Sequence, residues 1–348
     1  MAKLLKFLLC DKARIEIFGG GFMNKQIDDL LKNANNVAVI GHINPDGDCF
    51  GSLSAVNDYI KAKFGCNVHC FAECQTIAEE FKPFAKDINF NPVALSSYDV
   101  CICVDSACFD RLGIYKEVFD CSNHTICIDH HATNVGFAQI NIIIPRSSNC
   151  ENIYNMLKVA NFDIAKSTAG KLFAGIVTDT NNLSTNMVTT DTYKAVIDLI
   201  DKGIDYYRII KFFMGGNSMV QFKLLSMAMN SARFYNDNTI MVMQITPEQL
   251  ELTGGTQEDL NPIINQAFCM KHARCAVLIT PRNHQTHISF RSRGDIDVSV
   301  LASHFGGGGH KPAAACTVPT FAKQDMEYIV DKLTEQINLQ PLDNKELF

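Results

Sequence analysis

Four short apolar runs constrain this fold more than any other feature of the chain. NVAVI (36–40), NVHCFA (67–72), DVCICV (99–104) and HTICI (124–128) are short, continuously apolar and separated by segments long enough for helices. Each reads as a buried strand. Their alternation with helices predicts an α/β fold, a parallel sheet with helices on both faces. In open sheets of this kind the ligand lies outside the carboxyl ends of the strands. The first run leads into GHINPDGDCFGS (41–52), which carries His42, Asp46 and Asp48; DVCICVDS delivers Asp105; HTICIDHH delivers Asp129, His130 and His131. LFAGIVTDT adds Asp179 after a helix-like approach. Five aspartates and three histidines are thus expected at one rim.

Residues 149–231 read as mainly helical, until MGGNS near 215 breaks the pattern. The strand-like NTIMVMQI (238–245), ARCAVLIT (273–280) and THISFRSR (286–293) then begin a second, smaller α/β unit. Two cores are expected, because single cores stop growing at about 250–300 residues and this chain has 348. The expected division is an N-terminal extension over 1–23, a first domain over 24–214, a linker over 215–234 and a second domain over 235–340.

Crowded carboxylates repel one another and take up protons unless cations sit among them. Mixed His and Asp ligation suits a borderline first-row ion such as Mn²⁺ better than Ca²⁺, which prefers oxygen alone. Some seven ligands exceed the needs of one ion, and two ions roughly 3.5–4 Å apart are the usual arrangement for phosphoester displacement. Gly47 and Gly51 read as turn formers that let the carboxylates converge.

A net charge of −6 argues against coating long duplex nucleic acid, which needs many Lys and Arg. It leaves room for a small anionic ligand where positive charge is local. Between 271 and 311 lie Lys271, Arg274, Arg282, Arg291, Arg293 and Lys311 against Asp295 and Asp297, with five of the ten histidines. Within this basin FGGGGHKP (305–312) would let several backbone N–H groups approach an anion. No apolar run approaches the ~18 residues of a membrane span, and LLKFLLC is followed by charged DKAR rather than a cleavage site, so a cytoplasmic chain with no membrane association is expected. The 14 cysteines sit largely inside apolar runs without a CxxC pair, and are expected to be reduced thiols.

GHINPDGDCFGS, VDSA, DHHATN, GIVTDT and, in the second domain, GGGGHKPAAA together resemble the DHH/DHHA1 phosphoesterases, within them the bifunctional oligoribonuclease and PAP phosphatase type, over about residues 24–340. The resemblance implies one Mn²⁺ held by His42, Asp46 and Asp105 and another held by Asp48, Asp105, His130 and Asp179, with Asp105 bridging. Mg²⁺ or Co²⁺ would be substitutes. It assigns His131 to the substrate phosphate, leaves Asp129 to support the histidine pair, and gives substrate contact to Arg291, Gly307, Gly308, Gly309 and His310. The implied substrates are short single-stranded RNA or DNA oligonucleotides and 3′-phosphoadenosine 5′-phosphate (pAp); the oligomeric state is left open, a homodimer being one candidate. A water shared by two such ions would ionise near neutral pH and serve as nucleophile, while His131 donates to a phosphoryl oxygen. One departure is Ala315, where the family usually has glycine.

Rival readings are a family II-like inorganic pyrophosphatase, against which the glycine–histidine loop argues, a cyclic- or linear-dinucleotide phosphodiesterase, and a non-catalytic nucleotide sensor, which a missing ligand would favour. Ser148 and Glu151 in SSNCENIYNML match a helix-capping box, although the family carries a similar pair. Phe212, Phe213 and the methionines of LLSMAMN read as core at helical spacing.

Overall fold

The computed structural model describes residues 21–74, 81–86, 88–216, 218–260, 263–293 and 296–339. The expected 1–23 extension lies almost wholly outside them. The chain divides into two compact units, at residues 216 and 217.

The first unit runs α1 (Gly21–Leu31), β1 (Asn36–Ile40), α2 (Gly47–Phe64), β2 (Asn67–Phe71), α3 (Lys82–Ala85), β3 (Val100–Val104), α4 (Lys116–Asp120), β4 (His124–Asp129), β5 (Ile140–Ile143), α5 (Asn149–Val159), α6 (Lys166–Asp179), α7 (Thr190–Asp201) and α8 (Tyr206–Met214). Its five strands are all parallel, in the order β2-β1-β3-β4-β5. Successive residues of each strand enter opposite cores. Val37, Val39, Val100, Ile102, Ile126 and Ile128 pack with α2, α5 and α6, while Ala38, Ile40, Cys101, Cys103 and Cys127 pack with Phe71, Leu112 and Phe119. Two-sided burial is why these strands read as continuous apolar runs rather than alternating ones. Removing a side chain such as Ile102, 2% exposed, forfeits about 1.5–3 kcal/mol of transfer free energy before any cavity cost.

The strand order places the switch point between β1 and β3, which neighbour each other while their connections leave in opposite directions. Both strands end beside the candidate site. Helix α2 begins there because Asp46 caps it, accepting from the Asp48 and Cys49 amides at 3.1 and 3.0 Å. It ends at Gly65, whose φ of 71° only glycine adopts at no cost. Gly47 and Gly51 are not turn formers. Both lie inside α2 against α6, where a Cβ on Gly47 would strike Thr178 and one on Gly51 would come 2.8 Å from the Lys171 carbonyl. Their role is close helix–helix approach.

The second unit runs α9 (Met219–Asn230), β6 (Arg233–Tyr235), β7 (Ile240–Gln244), α10 (Pro247–Thr253), α11 (Gln257–Leu260), α12 (Ile263–Gln266), β8 (Cys275–Arg282), β9 (Gln285–Ser292), α13 (Ser299–His304), β10 (Gly308–His310), β11 (Ala313–Val318) and α14 (Lys323–Leu339). Six strands form one sheet, β10-β11-β9-β8-β7-β6, antiparallel except at β7–β8. Its two faces bury separate cores, one with α13 and α14, the other with α9 and α12. The segment 215–234, expected as a linker, contains α9 and β6. Ser218 and Gln221 form a reciprocal capping box that starts α9, and Leu224 and Ala228 bury it against Met241, Met243 and Ile263.

Phe213 packs beside Phe81 and Phe84, but Phe212 is 53% exposed and is not core: α8 turns only one stripe inward. The thirteen described cysteines are all free. No helix among the described residues is long and apolar enough to cross a membrane.

Candidate metal centre

Each element brings its polar group to the carboxyl edge of the first sheet for a local reason. His42 follows β1, where the Ile43 amide donates to the Arg111 carbonyl at 2.8 Å and the Asn44 amide to the Glu73 carbonyl at 2.8 Å, fixing the loop. Asp105 follows β3 with φ 53°, a left-handed conformation that costs a non-glycine residue energy and is tolerated best by Asp and Asn. That turn presents its carboxylate between two histidines. His42 Nε2 is 3.5 Å from Asp105 Oδ2, and His130 Nε2 is 3.4 Å from Asp105 Oδ1.

The remaining groups fall to either side of Asp105. On one side His42 Nε2 is 3.8 Å from Asp46 Oδ1. On the other, His130 Nε2 is 3.9 Å from Asp48 Oδ2 and 3.7 Å from Asp179 Oδ2. Ligand atoms of Asp48, His130 and Asp179 lie within 4.8 Å of one another, as do those of His42, Cys49 and Asp105. A third such group is Asp105, His130 and His131, so the six expected metal-ligating residues gather at one edge of the sheet together with Cys49 and His131.

The donor set fits cations. Asp105 Oδ1 is buried and makes no hydrogen bond, its contacts being ion-pair approaches from His130 Nε2 at 3.4 Å and His131 Nδ1 at 3.8 Å, so a bound cation would complete its compensation. Protons otherwise take the place of positive charge. Burial opposes protonation of His42, yet Asp105 and Asp46 outweigh it and raise its pKa to about 10. For His130 burial is likewise outweighed, chiefly by Asp105 and Asp48, again to about 10. Burial, with the charges of Asp105 and Asp179, pushes Asp48 well above the carboxylate range. Burial also raises Asp179 to about 6 against the opposing pull of His130. Asp105 alone is held well below that range: burial works against it, but His130 and His42 prevail.

Supporting contacts set the ring orientations. His130 Nδ1 lies 3.2 Å from the Arg146 carbonyl, which can only accept, so Nδ1 carries the proton and Nε2 faces the carboxylates. His42 Nδ1 lies 2.8 Å from the Ile43 carbonyl and 3.0 Å from Arg111 Nη2. The carbonyl demands a proton there, so Arg111 stands as a neighbouring charge rather than a donor. Asp48 accepts from the Asn149 and Cys150 amides at 2.6 and 2.8 Å, buried N–H groups of the first turn of α5 that have no acceptor within the helix, at an end where negative charge is favoured.

His131 differs from His130. Its Nδ1 donates to Asp129 Oδ1 at 2.8 Å, its side chain is 40% exposed, and its Nε2 is left to face outward. Asp129 is fully buried, and its second oxygen accepts from Asn134 Nδ2 at 2.7 Å. Asp129 thereby fixes the orientation of the His131 ring. Arg111, Asn134, the Arg146 carbonyl and the α5 amides were not singled out in the sequence. Only Asn134, inside DHHATN, and the capping serine before α5 left any trace there.

Arg291, Gly307, Gly308, Gly309 and His310 lie in the second unit. Arg291 is half-buried on β9, its Nη1 donates to the Phe290 carbonyl at 3.0 Å, burial lowers its pKa, and no carboxylate partner for it occurs among the described residues. Gly308 and Gly309 belong to the edge strand β10, and Gly307 precedes it. A Cβ on Gly307 would strike the Ala315 carbonyl, and Gly309, at φ 145°, would press one to 2.5 Å from Ala314 Cα. At Gly308 a Cβ would meet nothing within 4 Å. Gly308 pairs with Ala315 in the β10–β11 register, so the extra methyl lies on the strand behind the loop. The His310 side chain lies outside the described residues.

A parallel sheet with clustered carboxylates and imidazoles at its switch point, followed in the chain by a second mixed sheet with a glycine-rich edge, defines a two-unit α/β protein with a candidate metal centre in its first unit. Residues 36–198 match the N-terminal domain of the DHH family, and 237–339 match the DHHA1 domain. The chain belongs to the DHH family of phosphoesterases, enzymes that hydrolyse phosphoester bonds. It is 22% identical over 315 residues to the bifunctional oligoribonuclease and PAP phosphatase NrnA of Thermus thermophilus, covering 89% of this chain and 93% of that protein. It is 25% identical over 317 residues to the cyclic-di-AMP phosphodiesterase PdeA of Listeria monocytogenes, covering 84% of this chain but 46% of that one. The crystal structure of an exopolyphosphatase-related protein from Bacteroides fragilis superposes with a TM-score of 0.82 at 22% identity, covering 91% of this chain and 96% of that one. At that identity the likeness shows the fold alone.

Proposed function

We propose that this enzyme hydrolyses short single-stranded oligonucleotides to mononucleotides and removes a phosphate from pAp, using two Mn²⁺ ions. The observation that carries the reading is Asp105: a strained, buried carboxylate between two ligand groups, with one oxygen left without a hydrogen bond. His42, Asp46 and Asp105 would hold one ion, and Asp48, Asp105, His130 and Asp179 the other. When bound, the ions neutralise charge on the phosphoryl group and acidify the attacking water.

The chain's own residues do the rest. Asp129 accepts the His131 Nδ1 proton and so keeps Nε2 directed outward, where an imidazolium donates to a phosphoryl oxygen as charge develops there. Asp46 and Asp48 are held by helix N-terminal amides, so neither reorganises during turnover. Arg291, a half-buried cation without a carboxylate partner among the described residues, suits a substrate phosphate, and the β10 edge, one strand beyond β11 in the same sheet, offers further backbone N–H groups. The name of the Thermus relative, which matches nearly end to end, supports this substrate class over the cyclic dinucleotide named for the Listeria protein, of which the chain spans less than half.

The test is a panel of pAp, pyrophosphate, cyclic dinucleotides, linear dinucleotides and longer oligomers, assayed with Mn²⁺ and with excess EDTA. Turnover is expected on the linear dinucleotides and pAp, and none in EDTA. A preference for pyrophosphate over every nucleotide offered would overturn the reading.

A further inference from the structure

Glu151 is fully buried, and the site described above does not use it. It occupies the third position of α5, where a capping box would turn its carboxylate back to the Ser148 amide. Only half of that box forms: Ser148 Oγ accepts from the Glu151 amide at 3.1 Å. Both carboxylate oxygens are engaged elsewhere. Oε1 accepts from Arg146 Nη1 at 2.9 Å, and Oε2 accepts from Ser147 Oγ at 2.5 Å and from Thr192 Oγ1 at 2.8 Å. A buried carboxylate is costly unless charge-assisted bonds of this kind surround it, so a structural cap, which any exposed Glu performs, does not account for the arrangement.

What Glu151 grips is the strap of residues 146–150, and that strap touches two of the ligand residues. Its Arg146 carbonyl accepts the proton of His130 Nδ1, and its Asn149 and Cys150 amides hold both oxygens of Asp48. Thr192 ties the grip to α7, because the same hydroxyl accepts from the Thr189 amide in that helix's capping box. We infer that Glu151 is a positioning residue for one ion of the pair: it anchors the 146–150 strap to α7, and the strap in turn sets the ring of His130 and the carboxylate of Asp48. His42 and Asp46, on the other side of Asp105, receive nothing from the strap. The inference rests on the two-ion reading and predicts an asymmetric defect within it.

The experiment is Mn²⁺ titration of the full chain, wild type against Glu151→Gln, with circular dichroism to confirm folding. Wild type is expected to bind two ions. The variant keeps the shape of the side chain but loses the charge facing Arg146 and one acceptor, so one ion should bind as in wild type and the second 10- to 100-fold more weakly, the usual loss when an outer partner of a metal ligand is removed. Should Glu151→Gln not fold, Thr192→Val removes a single donor to Glu151 and is expected to weaken the second ion several-fold. A folded variant that binds both ions with wild-type affinity, its thermal stability alone reduced, overturns the inference; so does wild-type affinity in Thr192→Val where Glu151→Gln does not fold. A wild type that binds fewer than two ions overturns the two-ion reading instead, which is a separate result.

Discussion

The two units handle charge in opposite ways. In the first, Asp48, Asp105, Asp129 and Glu151 are buried at 3% exposure or less; helix N-terminal amides, a strained turn and a ring nitrogen place the three aspartates, and the Arg146 guanidinium with two hydroxyls places Glu151. In the second, Arg291 is half-buried without a carboxylate partner among the described residues, and the sheet ends one strand beyond β11 in a glycine edge whose Gly308 faces open space. Preorganised charge of the first kind stabilises a transition state without rearrangement. Cationic groups of the second kind bind a ligand that brings its own charge, and their contribution is limited to ordinary charge-assisted hydrogen bonds. Variants should therefore separate into two sizes of effect.

The largest effect is expected from Asp105→Asn, which removes the negative charge of the one carboxylate common to both proposed ligand groups. Turnover on every substrate should fall to near background, with the fold kept, since Asn also tolerates the left-handed turn. Hydrogen exchange should tell the same story from the metal side: Mn²⁺ protects what it binds, so wild type should gain protection over 41–52 and 128–134, and the variant should not. Full activity of the variant, or of wild type in excess EDTA, breaks the comparison at its root.

His131→Ala comes next. It removes a donor held by Asp129 but no ligand of the two proposed ions, so Mn²⁺ content should persist while kcat falls by the ~10²- to 10³-fold typical of losing one transition-state donor. A collapse of metal content would instead place His131 among the ligands, and its Nδ1, 3.8 Å from Asp105 Oδ1, makes that outcome a meaningful alternative.

Most of this division was legible in the residues. The runs at β1, β3 and β4 stand out because a parallel strand buried on both faces must be apolar throughout, and the groups just beyond them fall at the site by topology. β5 did not stand out: only four residues, Ile140–Ile143, reached from β4 without an intervening helix. β10 and β11 were hidden because GGH and AAACTV lack strand-forming composition, and α9, which reads as helical, falls within the expected linker because of the glycine pair before it. The glycines of α2 are a subtler case. Gly47 and Gly51 sit beside carboxylates and suggest a turn, yet what requires them is α6, more than 110 positions away, and no local pattern reports such a neighbour. Glu151 was obscured likewise, since its spacing from Ser148 matches a capping box while its partner Thr192 is 41 residues distant.

Arg291→Ala probes the second unit. Loss of one charge-assisted contact costs roughly 1.5–3 kcal/mol, so kcat/KM on dinucleotides and pAp should fall about tenfold to 150-fold, with Mn²⁺ binding unchanged. A loss confined to KM would mean uniform binding; a fall in kcat would mean that Arg291 also places the scissile phosphate. Wild-type rates on dinucleotides would remove the second unit from substrate handling.

The smallest effect distinguishes a loop shaped for packing from one shaped for a ligand. Gly307→Ala and Gly308→Ala add the same methyl group one residue apart. At Gly307 it meets the Ala315 carbonyl and Cys316, which are backbone and strand atoms that cannot move aside, so thermal stability should fall by the ~1–3 kcal/mol of overpacking. At Gly308 it meets nothing, so stability should hold or rise slightly through the lower entropy of the unfolded chain. If the edge of β10 receives a phosphate or sugar, the Gly308 methyl occupies that space, and KM for dinucleotides should rise several-fold with kcat and Mn²⁺ affinity unaltered. Kinetics identical to wild type in a fully stable Gly308→Ala protein would show that the substrate does not approach this edge. The glycine run would then be a feature of strand pairing with β11, leaving Arg291 as the second unit's part in binding.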